Sequence, residues 1–303
     1  MAHIADLGGV MAVSTKEIEK IISIVENNPN RLKNAYGDPG GLIDLSKDKK
    51  EVIVIGDLHG SIENLKAITE HEDNNKKLKK NTLTMIIIGD GVHNDQVGQM
   101  LEMESSLLVL EEIFKLFSKY KDNIIYIRGN HDTFDSRLAK SAIKQGLEFK
   151  NYLLEHRGEE YVNTVNDFFE ALPVFIIGNG YLLTHGGPIR HGATKKEIIN
   201  IVDNADFYHQ LTWNRLHEFR GTPSLKEYGE EDIRKMNIKM GFPEMTPFIV
   251  GHNPMWGTGD RTGIWKDIIG IKNHYIIYSN IGTKGPYLSI SNGEIISKFA
   301  ISD

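Results

Sequence analysis

Val52-Ile53-Val54-Ile55-Gly56-Asp57-Leu58-His59-Gly60 is an apolar run that stops in glycine, a carboxylate and a histidine. The run has strand length, is β-branched and lacks polar alternation, so it predicts a strand buried on both faces. Four more runs end the same way. Met85–Ile88 runs into Gly89-Asp90-Gly91, and Ile124–Ile127 into Arg128-Gly129-Asn130-His131-Asp132. Tyr181–Leu183 runs into Thr184-His185-Gly186-Gly187, and Pro247–Val250 into Gly251-His252-Asn253-Pro254. Val174–Ile177 and Tyr275–Tyr278 are two further strand-like runs.

Helical patterns lie between these runs. Ser14 to Glu17 is a capping box that opens a helix carrying Ile18, Ile21, Ile22 and Val25. The spacing of Met100, Met103, Leu107, Leu110, Phe114 and Phe117 predicts a helix from Gln96 to Tyr120. Another helix is predicted to begin at Ser136 and run past Leu147, and a third to begin with the capping box Thr194–Glu197. Residues 27–48, rich in Asn, Gly, Pro and Asp, read as a long loop. Residues 74–80, NNKKLKK, read as a solvated helix end or turn. Tyr287–Ile290 and Ile295–Ile301 flank an Asn-Gly pair and predict a closing hairpin. Strands alternating with helices indicate an α/β fold. The expected organisation is a single domain over 1–303, with an N-terminal helical and loop extension at 1–48. A mostly helical insertion at 190–245 would roof the site.

In an open α/β sheet, ligands bind beyond the carboxyl ends of the strands. That rule gathers Asp57, His59, Asp90, Asn130, His131, His185 and His252 at one rim. Oxygen ligands mixed with imidazole suit manganese, iron or zinc better than calcium. The chain has 303 residues and no cysteine, which excludes disulfides, thiolate metal sites and a cysteine nucleophile. The absent cysteines fit a reducing cytosol. The start MAHIADLGGVMAVSTKEIEK lacks a basic head and a long apolar stretch, so no signal peptide is expected. No apolar run approaches membrane-span length. A net charge of −6 argues against a general nucleic-acid or anionic-membrane binder. The expected setting is cytoplasmic, with no nucleic-acid or membrane partner.

The succession G-D-L-H-G, G-D-G-V, R-G-N-H-D, T-H-G-G-P and G-H-N-P resembles the signature of the calcineurin-like metallophosphoesterases. The single histidine of G-H-N-P, and Ser279-Asn280-Ile281-Gly282 before the closing hairpin, are similar to the phosphoprotein-phosphatase branch. The resemblance implies a central β-sandwich flanked by helices and a dinuclear site at one edge. Carried over by residue, Asp57 and His59 would bind one metal, and Asp90 would bridge both. Asn130, His185 and His252 would complete the second. His131 would protonate the leaving oxygen. The implied cofactors are two divalent ions, Mn(II) first and Fe or Zn as alternatives. The implied reaction is hydrolysis of phosphomonoesters by a metal-bridging hydroxide, without a phosphoenzyme.

The second block departs from that branch, which reads G-D-x-V-D-R-G where this chain reads Gly89-Asp90-Gly91-Val92-His93-Asn94-Asp95. His93 stands where a carboxylate orients the catalytic histidine, and Asn94 where an arginine grips phosphate. Asp95 and Asp132 are the nearby carboxylates that could substitute. His93 itself reads as catalytic, as a metal-site neighbour or as a loop residue. Arg190 and Arg215, with His93 and Asn94, are candidates for holding phosphate, and Arg220 and Arg261 are further cations. Arg128 and Trp213 read as structural. The substrate is a phosphorylated protein or a small phosphoester. A nucleotide or dinucleoside polyphosphate phosphoesterase is one competing reading, and a non-catalytic scaffold another. Oligomeric state is left open.

Overall fold

The computed structural model describes residues 12–140, 142–219 and 221–301. Residues 1–11, on which the signal-peptide reading rests, and Arg220 lie outside them. The first half of the chain forms α1 (Thr15–Glu26), β1 (Arg31–Lys33), β2 (Pro39–Asp44), β3 (Glu51–Ile55), α2 (Ile62–Glu70), α3 (Asn74–Lys79), β4 (Leu83–Ile87), α4 (Glu104–Tyr120), β5 (Ile124–Tyr126) and α5 (Gln145–Arg157). Next come α6 (Glu159–Ala171), β6 (Phe175–Ile177), β7 (Leu182–Thr184), α7 (Lys195–Ile199), α8 (Ala205–Trp213), β8 (Arg215–Leu216), β9 (Glu227–Tyr228) and α9 (Glu230–Lys239). The chain closes with β10 (Phe248–Val250), β11 (Ile264–Lys266), β12 (His274–Ile277), β13 (Pro286–Ser291) and β14 (Glu294–Phe299). Among the described residues, no helix is long and apolar enough to cross a membrane.

The strands form two large sheets, ordered β14-β13-β3-β4-β5 and β1-β2-β6-β7-β10-β12-β11, and a separate β8-β9 pair. Strand alternation sorts the apolar runs into three cores. Val52, Val54, Ile86 and Ile88 meet Ile176, Leu183, Ile249 and Ile277 between the sheets. Ile53, Ile55, Met85 and Ile87 face outward onto α1, α2, α4, α5 and α6. Phe175, Leu182, Phe248 and Ile276 face outward from the second sheet onto α7, α8 and α9. The result is a β-sandwich with helices on both outer faces. Each run is apolar throughout because both of its faces are covered.

Parallel pairing aligns the rim. β3, β4 and β5 are parallel, and so are β7, β10 and β12, so the carboxyl ends within each set lie side by side. The two sets meet at their ends. Asp57 bridges Tyr278, and the Ser279 amide donates to the Asp57 carbonyl at 3.0 Å.

Both capping boxes form, at Ser14 and at Thr194. NNKKLKK is the short helix α3 and the Lys80 after it. The hairpin closes with Ser291 opposite Glu294 and left-handed Asn292 and Gly293 between them, φ 52° and 81°. Three expectations are corrected. Residues 27–48 carry β1 and β2, not only loop. Their turn-like Pro-Gly-Gly is strand because helix α7 and the segment after it crowd it: a Cβ on Gly41 would meet the Ile201 side chain at 2.4 Å. The long helix starts at Glu104, not Gln96. Residues 96–102 are successive turns, and Glu102 accepts the Ser105 amide at 2.8 Å as the helix begins. Met100 is buried all the same, which put a loop residue on the helical period. The next helix starts at Gln145 rather than Ser136. Over 190–245 the chain carries α7, α8 and α9 with the β8-β9 pair and irregular segments between them.

Candidate active site

Each residue gathered by the strand-end rule arrives at the same place. Asp57 and His59 follow β3, Asp90 follows β4, and Asn130 and His131 follow β5. His185 follows β7 and His252 follows β10. Donor atoms of Asp57, His59 and Asp90 lie within 4.8 Å of one another, as do those of Asp90, His185 and His252. Asp90 belongs to both groups. The Asn130 Oδ1 stands 3.0 Å from His185 Nε2, which extends the second group. All seven side chains are buried.

The backbone is bent to achieve this. His59, Asp90, His93 and His252 have φ of 43°, 52°, 68° and 59°. Left-handed conformations at non-glycine residues cost about 1–3 kcal/mol each and cluster at functional sites. Buried hydrogen bonds hold them there. The His252 amide donates to both Asp57 oxygens at 3.0 and 3.1 Å, and the Leu58 and His59 amides donate to the Asp90 carbonyl. Asp132 accepts from the Asp90 amide at 3.1 Å, the Gly129 amide at 2.8 Å and the Tyr126 hydroxyl at 2.5 Å, fastening β4 to β5.

Histidine orientation tests whether the cluster suits a metal. One ring nitrogen of each candidate ligand lies against a backbone carbonyl. His59 Nδ1 is 2.9 Å from the His93 carbonyl, His185 Nδ1 is 2.7 Å from that of Ile88, and His252 Nε2 is 3.1 Å from that of Trp213. Those nitrogens must carry the proton, which leaves the other lone pair to a cation. Nε2 of His59 and of His185 faces Asp90, at 3.9 and 3.3 Å. The donor set therefore fits metal binding, with Asp90 common to both groups.

Charge in the cluster follows from burial and crowding. Burial, with Asp90 adding to it, pushes the Asp57 carboxyl up to about 6. Burial acts the same way at Asp90, but His185 and its neighbours outweigh it and hold that carboxyl well below the usual range. Burial would lower His185 too, yet Asp90 and Asp57 raise it to about 9. Burial drives His131 and His252 well below the ordinary imidazole value, and Arg215 adds to the shift at His252. A metal held by Asp57, Asp90 and His185 would supply the positive charge that the His185 proton now gives, and its binding would be coupled to loss of that proton.

The departures from the family pattern are placed as follows. His93 Nδ1 stands 3.3 Å from His131 Nδ1, so the residue at the carboxylate's place still touches the candidate acid. His93 is fully enclosed, edge-on to Phe149, and burial lowers its pKa to about 3. It touches His131 and Phe149 and has no exposed surface. Neither Asp132 nor Asp95 takes the orienting place. Asp132 is committed as above, and Asp95 accepts from the Tyr278 hydroxyl and the Asn280 amide. Asn94 accepts the Gln96 amide at 3.0 Å and turns its own amide to Gln99 and Glu102, so it shapes a loop. Arg190 donates to the Ser224 carbonyl at 2.9 Å. Arg215 does reach the rim, donating to the His252 carbonyl at 3.0 Å and Asn253 Oδ1 at 3.2 Å. Arg261 covers the Trp256 ring, and Arg128 pairs with Glu170. Beside Asn130 a cleft of about 450 Å³ opens between Arg128, Thr133, Arg137, Tyr208 and Trp213. The Trp213 carbonyl is a contributor that no sequence motif marks, because any residue supplies a carbonyl.

No curated protein matches the chain by sequence. Among solved structures it is similar to a protein serine/threonine phosphatase from Saccharomyces cerevisiae with similarity to human phosphatase PP5. Identity is 17%, covering 96% of this chain and 91% of that one, with a TM-score of 0.70. A cold-active protein tyrosine phosphatase is similar at 13% identity, covering 99% and 84%, TM-score 0.58. A cold-active protein-tyrosine phosphatase of the psychrophile Shewanella sp. is similar at 14%, covering 99% and 86%, TM-score 0.56. These likenesses establish the shared fold. Residues 50–263 match the model of the calcineurin-like phosphoesterase family, Metallophos. The chain belongs to the calcineurin-like phosphoesterases and is a phosphoric ester hydrolase.

Proposed function

We propose that this chain is a dinuclear-metal phosphatase acting on phosphomonoesters, with phosphorylated proteins as the first substrate class and Mn(II) as the first metal. The observation that carries the reading is the Asp90 carboxylate shared by two donor groups, whose histidines each keep one lone pair turned inward. Asp57, His59 and Asp90 would hold one ion, and Asp90, Asn130, His185 and His252 the other. Two such ions supply positive charge for the phosphoryl oxygens and lower the pKa of a water toward neutrality. The side chains do the rest. Asp57 and Asp90 fix the spacing and partly neutralise the charge. His131, edge-on to the His59 ring with centroids 4.9 Å apart, is positioned to give a proton to the departing oxygen. Arg215 presents a forked cation beside His252 for phosphate. We read the chain as one domain, with residues 1–48 as an extension and 190–245 as an insertion that reaches the rim through Trp213 and Arg215.

The test is metal analysis joined to a substrate panel. Purified protein should bind two Mn(II) per chain and hydrolyse phosphopeptides and aryl phosphates. Hydrolysis confined to phosphodiesters or dinucleoside polyphosphates would replace the substrate class, and one metal per chain would end the dinuclear reading.

A further inference from the structure

In the loop that occupies the family's arginine position, the Asn94 amide faces Gln99 and Glu102, each at 3.4 Å, and carries no charge for a phosphate. A second loop, between β5 and α5, is stitched to it. The buried Gln145 donates to the Asn94 carbonyl at 2.8 Å. The Lys140 and Ile143 amides exchange hydrogen bonds at 3.0 and 2.9 Å, and Leu138 is buried beneath. This arrangement sets Lys140 beside Asp95. Its ammonium stands 3.6 Å from Asp95 Oδ2, beyond ordinary hydrogen-bond length. Asp95 is already occupied by the Tyr278 hydroxyl and by Asn280 Nδ2 at 3.1 Å. Tyr278 in turn packs on His59, ring centroids 5.6 Å apart. Lys140 is thus anchored one residue layer from the metal-ligand candidates, and its side chain is 43% exposed.

We propose that Lys140 is the cation that takes the substrate phosphate in place of the missing arginine, opposite Arg215. This rests on the phosphatase reading above. Lys140 lies on the His59 side, through Asp95 and the Tyr278 ring that packs on His59. Arg215 lies on the His252 side. An ammonium carries three donors and holds its neighbour Asp95 only loosely, so it can turn to a dianion without breaking a tight ion pair.

The probe is inorganic phosphate, titrated calorimetrically into Mn(II)-loaded protein, with aryl phosphate turnover measured in parallel. Lys140→Gln should weaken phosphate binding about tenfold and raise KM similarly, with kcat changed less than about threefold. Lys140→Arg should stay within about threefold of the parent. Lys298→Gln, on the edge strand β14, removes the same net charge and should change neither value. If Lys140→Gln binds phosphate as the parent does, or no more weakly than Lys298→Gln, the lysine is only the partner of Asp95 and the proposal falls. A parent that binds phosphate but turns over no phosphomonoester would overturn the phosphatase reading instead, while the comparison of phosphate affinities still decides Lys140.

Discussion

At the scale of single residues, the site depends on which atom of each side chain is already spoken for. Three backbone carbonyls decide which histidine nitrogens are spare, and Asp90 alone joins the two donor groups. Asp90→Asn keeps the shape but removes the shared charge, so bound metal should drop from two per chain to one or none and turnover at least about a hundredfold. Two ions retained by that variant, read by elemental analysis, would contradict the sharing. The His131 ring meets His93 Nδ1 at 3.3 Å, and the hydrogen bond from His131 to Asp90 Oδ1, at 2.8 Å, comes from its backbone amide rather than its ring. His131→Ala should therefore keep metal content. It should slow alkyl phosphates by roughly a hundredfold or more and aryl phosphates much less, because a phenolate leaves without a proton. Equal losses on both substrates would remove the acid role. The motif residues were legible because aspartate and histidine after a strand are rare and chemically specific. The surroundings of Asn94, Arg190 and His93 were not legible, because sequence position tells where a side chain starts, not what its end meets: Gln99 and Glu102 for Asn94, the Ser224 carbonyl for Arg190 and His131 for His93.

At the scale of elements, strand ends and tight turns set the site, and the turn after β5 presses directly on Asp90. A Cβ on Gly129 would fall 2.2 Å from Asp90 Oδ1 and 2.5 Å from the Asp90 amide. Gly129→Ala must displace the shared carboxylate or the turn that carries Asn130 and His131. It should lower metal occupancy below one per chain while far-UV circular dichroism stays at the parent's value, since both sheets and their cores are untouched. A variant with full occupancy would show that the turn yields freely. The inner strands were legible because burial on both faces leaves only apolar side chains. β1 and β2 were not, because Pro39-Gly40-Gly41 carries a turn composition whose cause is close packing against α7 and the segment after it. The start of α4 was misread for the converse reason: Met100 is buried from a turn but falls on the helical period.

At the scale of the molecule, folding encloses several imidazoles, and that makes stability depend on pH. His274, remote from the metal-ligand candidates, has Nδ1 3.0 Å from the Phe248 carbonyl and Nε2 3.0 Å from the Tyr228 hydroxyl. Burial lowers its pKa from 6.5 to about 4. The unfolded chain then takes up a proton as pH falls through 6.5, and the native state resists until about 4. His274 thus favours the fold above pH 6.5 and loses about 2 kcal/mol of that advantage between pH 7 and pH 5. Urea unfolding of metal-free protein should show this loss, and His274→Gln should reduce the pH dependence by about that amount. Parallel pH profiles for parent and variant would refute the assignment.

What the sequence determined by itself was most of the buried strands, the α/β alternation and the residues at the strand ends, because burial and metal chemistry each restrict the residue types allowed. What only the tertiary structure decided was pairing between distant segments: which sheet each strand joined, that His93 backs His131, and that Lys140 from one loop stands beside Asp95 of another. Those contacts are set by where two loops meet in space, and no local pattern of residue types encodes that meeting.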